Sequence, residues 1–327
     1  MTTFLSGIQP SGLQHLGNYF GAIKHHIAGS EAEGEHFYFI ADYHALTTSQ
    51  DPVALREHVR ETAITYLALG LDPSRAALFR QSDVPEVTEL AWLLASVTGM
   101  GLLERAHSYK DKVNHGVKPS VGLFTYPILM AADILAYDSN VVPVGKDQVQ
   151  HVEMTQDMAG YFNHRYGDVF VRPEYRLADE ERFAKVVGID GEKMSKTYGN
   201  DIWVFETGKK LKKRFGRLVT DSRPPSEAKD PAEILPFRFL ELFLDAAELE
   251  DWEQRVRAGG EDAPGYGDLK MRAWEAMEEH FAPARARREE LLADPEEVDR
   301  VLAAGAATAR ERARKVRDRA LEACGLR

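Results

Sequence analysis

Cysteine is nearly absent from this sequence of 327 residues: Cys324, close to the C-terminal end, is the only one. An intrachain disulfide is therefore impossible, and the sequence offers no cysteine cluster for zinc or an iron–sulfur centre. These absences favour a reducing compartment, and we expect no metal held by the protein itself.

A long hydrophobic run is also missing. No stretch approaches the roughly 18 continuous apolar residues of a membrane-spanning helix, and the first residues lack the basic-then-apolar pattern of a secretory signal. We therefore expect a cytoplasmic protein that does not associate with membranes. The length indicates about two domains, and 44% apolar residues are enough for a buried core.

Negative charge dominates the composition, because 52 acidic and 41 basic residues give a net charge of −11. Such a chain does not coat nucleic acid over its whole surface. Two runs nevertheless hold six basic side chains each, residues 209–217 (KKLKKRFGR) and 310–319 (RERARKVRDR). They are typical either of local polyanion docking or of solvated helix faces with interspersed salt bridges. Composition leaves both interpretations open.

Strand-like and helix-like segments alternate over the first two hundred residues. Short apolar runs at 4–7, 36–41, 76–79 and 141–144 predict strands, and helical spacing occurs at 16–24, 52–69 and 85–96. This alternation predicts parallel βαβ units in a doubly wound α/β sheet, whose ligands bind at the carboxyl ends of the strands. Gly7 and Asp42 lie at such ends.

The alternation stops in the second half of the chain. Helical periodicity covers residues 237–256, 269–281 and 296–326, with proline- and glycine-rich segments near 224–231 and 259–267. We expect an α/β domain over residues 1–197 and an all-helical domain over 198–327. The last helix could equally fold back on the first domain.

The first motif is the segment GIQPSG at residues 7–12, followed by His15, Leu16, Gly17 and Asn18. It lies where a short strand gives way to a helix, and its glycines permit close backbone approach to a ligand. Helix-initiating amides, with the polar groups of His15 and Asn18, are suited to phosphate oxygens. A histidine at a helix start is by itself more often an ordinary surface residue.

The second motif is Lys193-Met194-Ser195-Lys196-Thr197. Two ammonium groups and two hydroxyls on a loop of small residues can close on a polyphosphate. In phosphoryl or nucleotidyl transfer, the protein mainly orients groups and neutralises charge that develops on the phosphate oxygens. Two lysines with a magnesium ion would do so, and the two motifs together predict a triphosphate site.

Two inner segments supply further polar groups. In TYPILMAAD, Met130 and Asp133 are three residues apart and share a face if the segment is helical. A buried aspartate needs a partner, such as an indole N–H, but it could instead cap a neighbouring element. After the run 141–144, Asp147 could cap a helix or accept from a ribose hydroxyl, and Gln148 could hold a small zwitterion. Spacing does not decide among these roles.

These four segments resemble the tryptophanyl members of the class I aminoacyl-tRNA synthetases. GIQPSG with HLGN is similar to the opening and the HIGH motif of that family, and KMSKT is similar to its KMSKS loop. TYPILMAAD and VGKDQVQHVE are similar to its two inner segments. The resemblance covers essentially the whole chain in the family's order.

The resemblance implies a Rossmann-like catalytic domain followed by a helical domain that binds the tRNA anticodon. It implies that the carboxylate of L-tryptophan attacks the α-phosphorus of ATP, giving tryptophanyl-adenylate and pyrophosphate. The acyl group then passes to the terminal ribose of tRNA(Trp). Magnesium would enter with ATP, and the family's homodimers imply a homodimer here.

The resemblance also implies roles for individual residues. The residues expected to take part in catalysis are His15, Asn18, Lys193, Ser195 and Lys196. Those expected to contact ATP are Gln9, Pro10, Ser11, Gly17, Asn18, Lys110, Gly145, Lys146, Asp147, Val186, Lys193, Met194, Ser195, Lys196 and Thr197. Those expected to contact tryptophan are Leu5, Tyr126, Met130, Asp133 and Gln148, with Asp133 accepting from the indole nitrogen.

Three positions depart from the family's pattern. Lys146 occupies a place where glutamate is more common, Thr197 replaces a serine, and Ser108 stands where a glutamine often lies near ATP. Each side chain can still bond to phosphate or ribose, so we expect altered nucleotide affinity and intact chemistry.

Three other functions compete with this one. A tyrosyl enzyme is closest, but a phenol prefers a site that both donates and accepts. A non-catalytic paralogue that binds tryptophan or RNA would have no use for His15, Asn18, Lys193 and Lys196. A small-molecule adenylyltransferase of the same superfold would lack the helical domain and its basic runs.

Overall fold

The computed structural model describes residues 2–106, 116, 118–177 and 186–327, which form two compact units. The first unit comprises Met1–Leu13, His25–Asp179 and Leu291–Arg327, and the second comprises Gln14–Lys24 and Glu180–Glu290. The boundary expected between residues 197 and 198 falls inside the second unit, because residues 193–197 (the lysine loop) pack there with residues 15–18 (the HLGN segment). The last helix belongs to the first unit.

Helices make up most of both units. They are α1 (Leu16–Asn18), α2 (Lys24–Gly29), α3 (Asp42–Ala45), α4 (Pro52–Ala68), α5 (Glu86–Ala95), α6 (Met100–Glu104), α7 (Val121–Leu135), α8 (Val149–Tyr166), α9 (Gly208–Gly216), α10 (Leu235–Phe243), α11 (Ala246–Ala258), α12 (Tyr266–Ala293) and α13 (Pro295–Ala323). A π-helical turn, Tyr19–Ile23, joins α1 to α2. Among the described residues, no helix is long and apolar enough to cross a membrane.

A five-stranded parallel sheet lies in the first unit. Its strands are β1 (Thr3–Ile8), β2 (Glu35–Ile40), β3 (Ala76–Arg80), β4 (Val141–Val144) and β5 (Glu174–Leu177), in the spatial order β3-β2-β1-β4-β5. Phe4 of β1 pairs with His36 on one side and Val141 on the other. The winding reverses between β1 and β4, so the predicted doubly wound α/β sheet is confirmed. Doubly wound sheets bind ligands at such a reversal, beside the loops that follow the two strands, here β1 and β4.

The core of the first unit joins the sheet to α7. Leu5, Phe37 and Phe79 are buried in one apolar cluster with Ile128 and Ala132 of that helix. Each large apolar side chain buried in this way contributes about 1.5–3 kcal/mol relative to an exposed one. The cluster therefore holds α7, and with it Asp133, against the middle of the sheet.

The structure differs from the sequence prediction at two elements. The helix predicted over residues 237–256 is two helices, because the Asp245 side chain accepts from the N–H groups of Ala247 and Glu248 and starts α11 anew. The strand β5 was not predicted, because all four of its residues are exposed and lack an apolar pattern.

The helix α13 packs closely on β3. A Cβ atom added to Gly305 would lie 2.1 Å from the carbonyl oxygen of Leu78, so only glycine permits this approach. Nearby, the guanidinium groups of Arg310 and Arg314 donate to the buried Glu86 carboxylate over 3.0–3.3 Å. Burial alone would raise the pKa of Glu86, but these hydrogen bonds lower it below its ordinary value. The final helix is thus an integral part of the first unit.

Three buried polar side chains of the same unit, Ser6, His26 and Tyr66, are linked by hydrogen bonds. The Nε2 atom of His26 lies 2.9 Å from the Ser6 hydroxyl, and its Nδ1 atom lies 2.7 Å from the Tyr66 hydroxyl. Burial lowers the pKa of His26 to about 4, and the neighbouring His25 acts in the same direction. The imidazole is therefore neutral in the folded protein near pH 7, with one hydroxyl donating and the other accepting.

We expect Gly305→Ala to destabilise the protein by about 1–3 kcal/mol, because the helix must move away from β3. The matched control is Gly160→Ala in α8, where a Cβ atom would have no neighbour within 4 Å in the part of the chain that the structure describes. That change should stabilise by about 1 kcal/mol through helix propensity alone. Urea unfolding of the three proteins measures both effects, and equal shifts in the two variants would contradict the close approach.

The burial of His26 predicts a loss of stability in mild acid. Between pH 6.5 and about 4, the unfolded chain binds a proton at this imidazole and the folded chain does not, so stability falls as the pH falls through this window. The loss attributable to His26 is on the order of 3 kcal/mol. His26→Gln removes the titration and keeps a donor and an acceptor. Urea unfolding across pH 4–7 should show a flatter profile for the variant, and parallel profiles would refute the assignment.

Candidate functional site

The buried carboxylate of Asp133 is the centre of a polar trio in the first unit. Asp133 is 1% exposed, and the Gln81 amide nitrogen donates to both of its oxygens over 2.9 and 2.8 Å. The Nε2 atom of His44 lies 2.9 Å from the Asp133 Oδ2 atom. Because an ionised carboxylate only accepts, the imidazole carries its proton on Nε2. Burial raises the pKa of Asp133, and the bonds from His44 and Gln81 oppose that rise.

Backbone amides fix the orientation of Gln81. Its Oε1 atom accepts from the N–H groups of Tyr43 and His44 over 3.1 and 3.4 Å, which turns its amide nitrogen towards Asp133. The Asp42 carboxylate accepts from the backbone and hydroxyl of Ser82, next to Gln81. The carboxyl ends of β2 and β3 are thereby joined, and the trio stands at these ends.

The other residues predicted to contact tryptophan lie near the trio or in the core. Met130 and Asp133 are both on α7, as expected, and Met130 packs against the buried apolar cluster that contains Leu5.

The Tyr126 hydroxyl lies 2.7 Å from the Nε2 atom of His151, and the Tyr126 ring meets the His44 ring edge-on. The amide nitrogen of Gln148 donates to the Asp147 carboxylate over 2.8 Å.

The loops that follow β1 and β4 are largely exposed. Gly12 has a φ angle of +89°, a left-handed conformation that favours glycine, and the Gln9 amide donates to the Thr48 hydroxyl over 3.1 Å. Pro10 is buried and Ser11 is exposed. Gly145, Lys146 and Asp147 are exposed at the start of α8, where, among the described residues, no side chain is seen to cap the helix. Asp147 is thus not seen to cap α8, and its contact with a ribose hydroxyl stays a prediction.

In the second unit, His15 and Asn18 cap each other. The Nδ1 atom of His15 accepts from the Asn18 N–H over 3.3 Å, and the Asn18 Oδ1 atom accepts from the His15 N–H over 3.0 Å. Burial lowers the pKa of His15, the Lys196 ammonium lowers it further, and Asp201 opposes them. The imidazole is therefore neutral near pH 7, and because its Nδ1 atom accepts, its Nε2 atom carries a hydrogen to donate.

The lysine loop closes a short hairpin in the same unit. The Met194 N–H donates to the Val186 carbonyl over 3.1 Å, and the Gly188 N–H donates to the Glu192 carbonyl over 2.7 Å. Met194 is buried, and its Cβ atom would lie 3.8 Å from a Cβ atom on Gly17. The structure thus brings the HLGN segment and the lysine loop together.

The polar end of that loop is ordered but accessible. The Ser195 hydroxyl accepts from the Thr197 N–H over 3.3 Å, and Lys193 and Thr197 are exposed. Partial burial lowers the pKa of Lys196, with Asp201 opposing. Two lysine ammonium groups, a hydroxyl and a neutral imidazole are therefore presented by one unit, a set suited to an anionic ligand.

Two predicted positions, Ser108 and Lys110, lie outside the described residues. Within the described part of the chain, no three histidine, cysteine, aspartate or glutamate side chains are grouped as a metal site would require.

The C-terminal basic run is engaged inside the first unit. Every basic side chain from residue 310 to 319 has an acidic partner: Arg310 and Arg314 with Glu86, Arg312 with Glu35, Lys315 with Glu311, Arg317 with Glu89, and Arg319 with Asp138. Of the two interpretations considered for this run, salt-bridged helix surface is the one that the structure supports.

Comparison with known proteins assigns the family. Residues 1–282 match the tRNA synthetases of class I for tryptophan and tyrosine. The tryptophan–tRNA ligase of Rhodopirellula baltica is 55% identical over 323 residues, 99% of each chain. That of Campylobacter jejuni is 46% identical over 322 residues, 98% of this chain and 99% of its own. The chain belongs to the tryptophanyl branch of the class I tRNA synthetases.

A solved structure agrees with this membership. The crystal structure of the C. jejuni tryptophanyl-tRNA synthetase complexed with ADP and tryptophan matches with a TM-score of 0.92 at 45% identity, covering 99% of this chain and 100% of that one. The family suggested by the four motifs is therefore confirmed, and so is its fold.

Sequence reasoning about this synthetase missed three side chains that organise the site. Gln81 and His44 were not singled out, although Gln81 directly follows β3 and His44 lies in α3, the short helix after β2. Asn200 was missed as well. It is 2% exposed, its Nδ2 atom donates to Asp190 and to the Lys193 carbonyl, and its Oδ1 atom accepts from the Ser195 N–H over 2.8 Å. No local sequence pattern indicates that Asn200 holds the lysine loop through these hydrogen bonds.

We expect Asn200→Ala to loosen the lysine loop of this synthetase. It removes several buried hydrogen bonds, each worth about 1 kcal/mol, so the Ser195 amide should exchange its hydrogen faster. Asn163→Ala is the matched control, because Asn163 bonds the backbone of Val169 and Phe170 in the same manner in the first unit. Hydrogen exchange should rise at residues 190–200 only in the first variant. Unchanged exchange there would contradict the role of Asn200.

Proposed function

We propose that this chain joins L-tryptophan to tRNA(Trp) in two steps, consuming ATP and releasing pyrophosphate and AMP. The observation that carries the proposal is the buried Asp133 carboxylate, held by Gln81 and His44, in a chain 55% identical to a tryptophan–tRNA ligase. Tryptophan–tRNA ligation is the activity named for its relatives over nearly their whole length.

Recognition of tryptophan is assigned to the Asp133 trio. The indole N–H only donates, and the Asp133 Oδ1 atom accepts one hydrogen bond, from Gln81, which leaves it capacity for a second. We propose that this oxygen accepts from the indole, with Met130 and Leu5 against the ring. Tyr126 and Gln148 are proposed to lie towards the amino group.

The same trio disfavours tyrosine. A phenol both donates and accepts, and the donors nearest Asp133 already point at its carboxylate: the Gln81 amide reaches both oxygens, and the His44 Nε2 atom reaches Oδ2. A phenol hydroxyl could donate to Asp133, but its oxygen would receive no hydrogen bond from Gln81 or His44, because both already donate to the carboxylate. An unsatisfied buried polar atom costs about 1–3 kcal/mol, so the trio supports the tryptophanyl assignment over the tyrosyl one.

The first step needs no dedicated general base, because the tryptophan carboxylate is already ionised at pH 7. Its rate depends on orientation and on stabilising charge at the phosphate. We propose that the His15 Nε2 hydrogen and Asn18 bind phosphate oxygens. Lys193 and Lys196 are proposed to neutralise the charge that grows on the departing pyrophosphate, with Ser195 ordering the loop.

The remaining ATP contacts stay predictions. They are the contacts of Gln9, Pro10, Ser11, Gly17, Gly145, Lys146, Asp147, Met194 and Thr197, and of the Val186 backbone with adenine. We propose that magnesium enters bound to the ATP phosphates, which suit its preference for oxygen ligands.

A homodimer and a cytoplasmic location are likewise proposed. The helices α5, α6 and α7 expose three large apolar side chains: Trp92 at 75%, Met100 at 62% and Val121 at 80%. The helices that bear them pack on one another through α7. Isolated side chains of this kind are common, but three on adjoining helices support a second copy of the chain as the partner.

Amino-acid-dependent exchange of labelled pyrophosphate into ATP tests this function, with tryptophan and tyrosine run side by side. We expect exchange with tryptophan alone. Exchange with neither would favour a non-catalytic paralogue, and exchange with tyrosine would overturn the assignment of Asp133.

Asp133→Ala should chiefly weaken selection of the indole nitrogen. A hydrogen bond to a charged group is worth about 1.5–3 kcal/mol, so the preference for tryptophan over an analogue with sulfur in place of the ring N–H should fall about 10- to 100-fold. The KM for ATP serves as the internal control and should change little. Asp133→Asn, which keeps the shape, should lose selectivity in the same direction. A preserved preference in both variants would refute the role.

A further inference from the structure

We propose that one face of α9, formed by Lys209, Lys213 and Arg217, binds the phosphate backbone of the tRNA. The inference rests on the proposed function, which makes tRNA the polyanionic partner. It goes further by assigning the contact to particular side chains on one helix.

The three side chains share one side of α9. Residues four apart lie nearly above one another on a helix, so Lys209 and Lys213 are aligned, and Arg217 continues their row just past the helix end. Leu211 and Phe215 are fully buried on the opposite side. All three cations are exposed, and they span about 12 Å along the helix axis.

The other cations of α9 are engaged within the second unit. Lys210 and Arg214 pair with the buried carboxylate of Glu206 over 3.1 and 2.6 Å. The Lys212 ammonium lies 4.5 Å from the centre of the Trp274 ring. These contacts anchor the helix by its flanks. In the described chain, Lys209, Lys213 and Arg217 have no acidic partner.

The start of α9 is also held in place. The Glu278 carboxylate accepts from the Gly208 N–H over 2.6 Å and from the Thr207 hydroxyl over 2.7 Å. A negative group at this position complements the positive end of the helix. The three cations are therefore presented on an anchored element, which limits the ordering cost of binding a phosphate chain.

The contrast with residues 310–319 separates this face from ordinary surface charge. Both runs hold six basic side chains, but each of those in the C-terminal run is neutralised by a carboxylate. On a protein with a net charge of −11, a polyanion is repelled by most of the surface and attracted where cations stay unpaired. Contacts to phosphate position an RNA and carry no sequence information by themselves.

The test replaces all three side chains by glutamine, which removes the charges and keeps good helix formers. Binding of a tRNA(Trp) transcript is measured over a range of salt concentrations. We expect affinity at low salt to fall about 10- to 100-fold and the slope of log K against log salt to become less negative by about 2–3. A tRNA with another anticodon should lose affinity by the same factor.

The matched control is the triple variant Arg300→Gln, Lys315→Gln and Arg327→Gln. It changes the net charge equally, and all three side chains are exposed and paired with carboxylates. Its tRNA affinity and salt slope should equal those of the wild type. A third variant, with Lys209→Arg, Lys213→Arg and Arg217→Lys, keeps the three positive charges. It should bind tRNA as tightly as the wild type if charge is the cause.

Tryptophan-dependent pyrophosphate exchange, which needs no tRNA, is measured in every variant. Normal exchange with weakened tRNA binding in the α9 variant alone supports the proposal. Normal exchange with an unchanged salt slope overturns it and leaves the proposed function intact. Absence of exchange in the wild type would overturn the proposed function, whatever the binding data show.

Discussion

A carboxylate taken out of water must receive hydrogen bonds, and the buried charge of Asp133 imposes that requirement on the first unit. The Gln81 amide meets it only because backbone amides at the start of α3 hold its oxygen. Those amides are in position because Asp42 ties the end of β2 to Ser82 beyond β3. A single buried charge thus couples α7, α3 and two strand ends. Moving any of them would leave a polar group unsatisfied.

The same principle explains why the last helix belongs to the sheet. Glu86 is buried at the start of α5, and Arg310 and Arg314 from the far end of the chain neutralise it. Gly305 lets α13 approach β3 closely enough for them to reach it. Sequence order is therefore a poor guide to the units, because burial and charge join the last helix to β3 and α5, more than 200 residues earlier in the chain.

In the second unit, the candidate catalytic residues are held by local caps and by contacts between segments distant in sequence. The caps of His15 and Asn18 are local and follow from their spacing of three residues. The link between Gly17 and Met194, and the influence of Lys196 on His15, join segments nearly 180 residues apart. A neutral donor beside lysine ammonium groups is favourable, because each additional positive charge in one place raises the cost of the next.

The sequence by itself determined the strand–helix alternation, the doubly wound sheet and the family, since apolar period and motif order are local properties. It also singled out Asp133, His15 and the lysine loop as candidate site residues. Only the tertiary structure decided what surrounds them: Gln81 and His44 around Asp133, Asn200 beneath the lysine loop, and acidic partners for one basic run but not all of the other. The reason is physical, because burial and pairing depend on which distant segments the fold brings into contact.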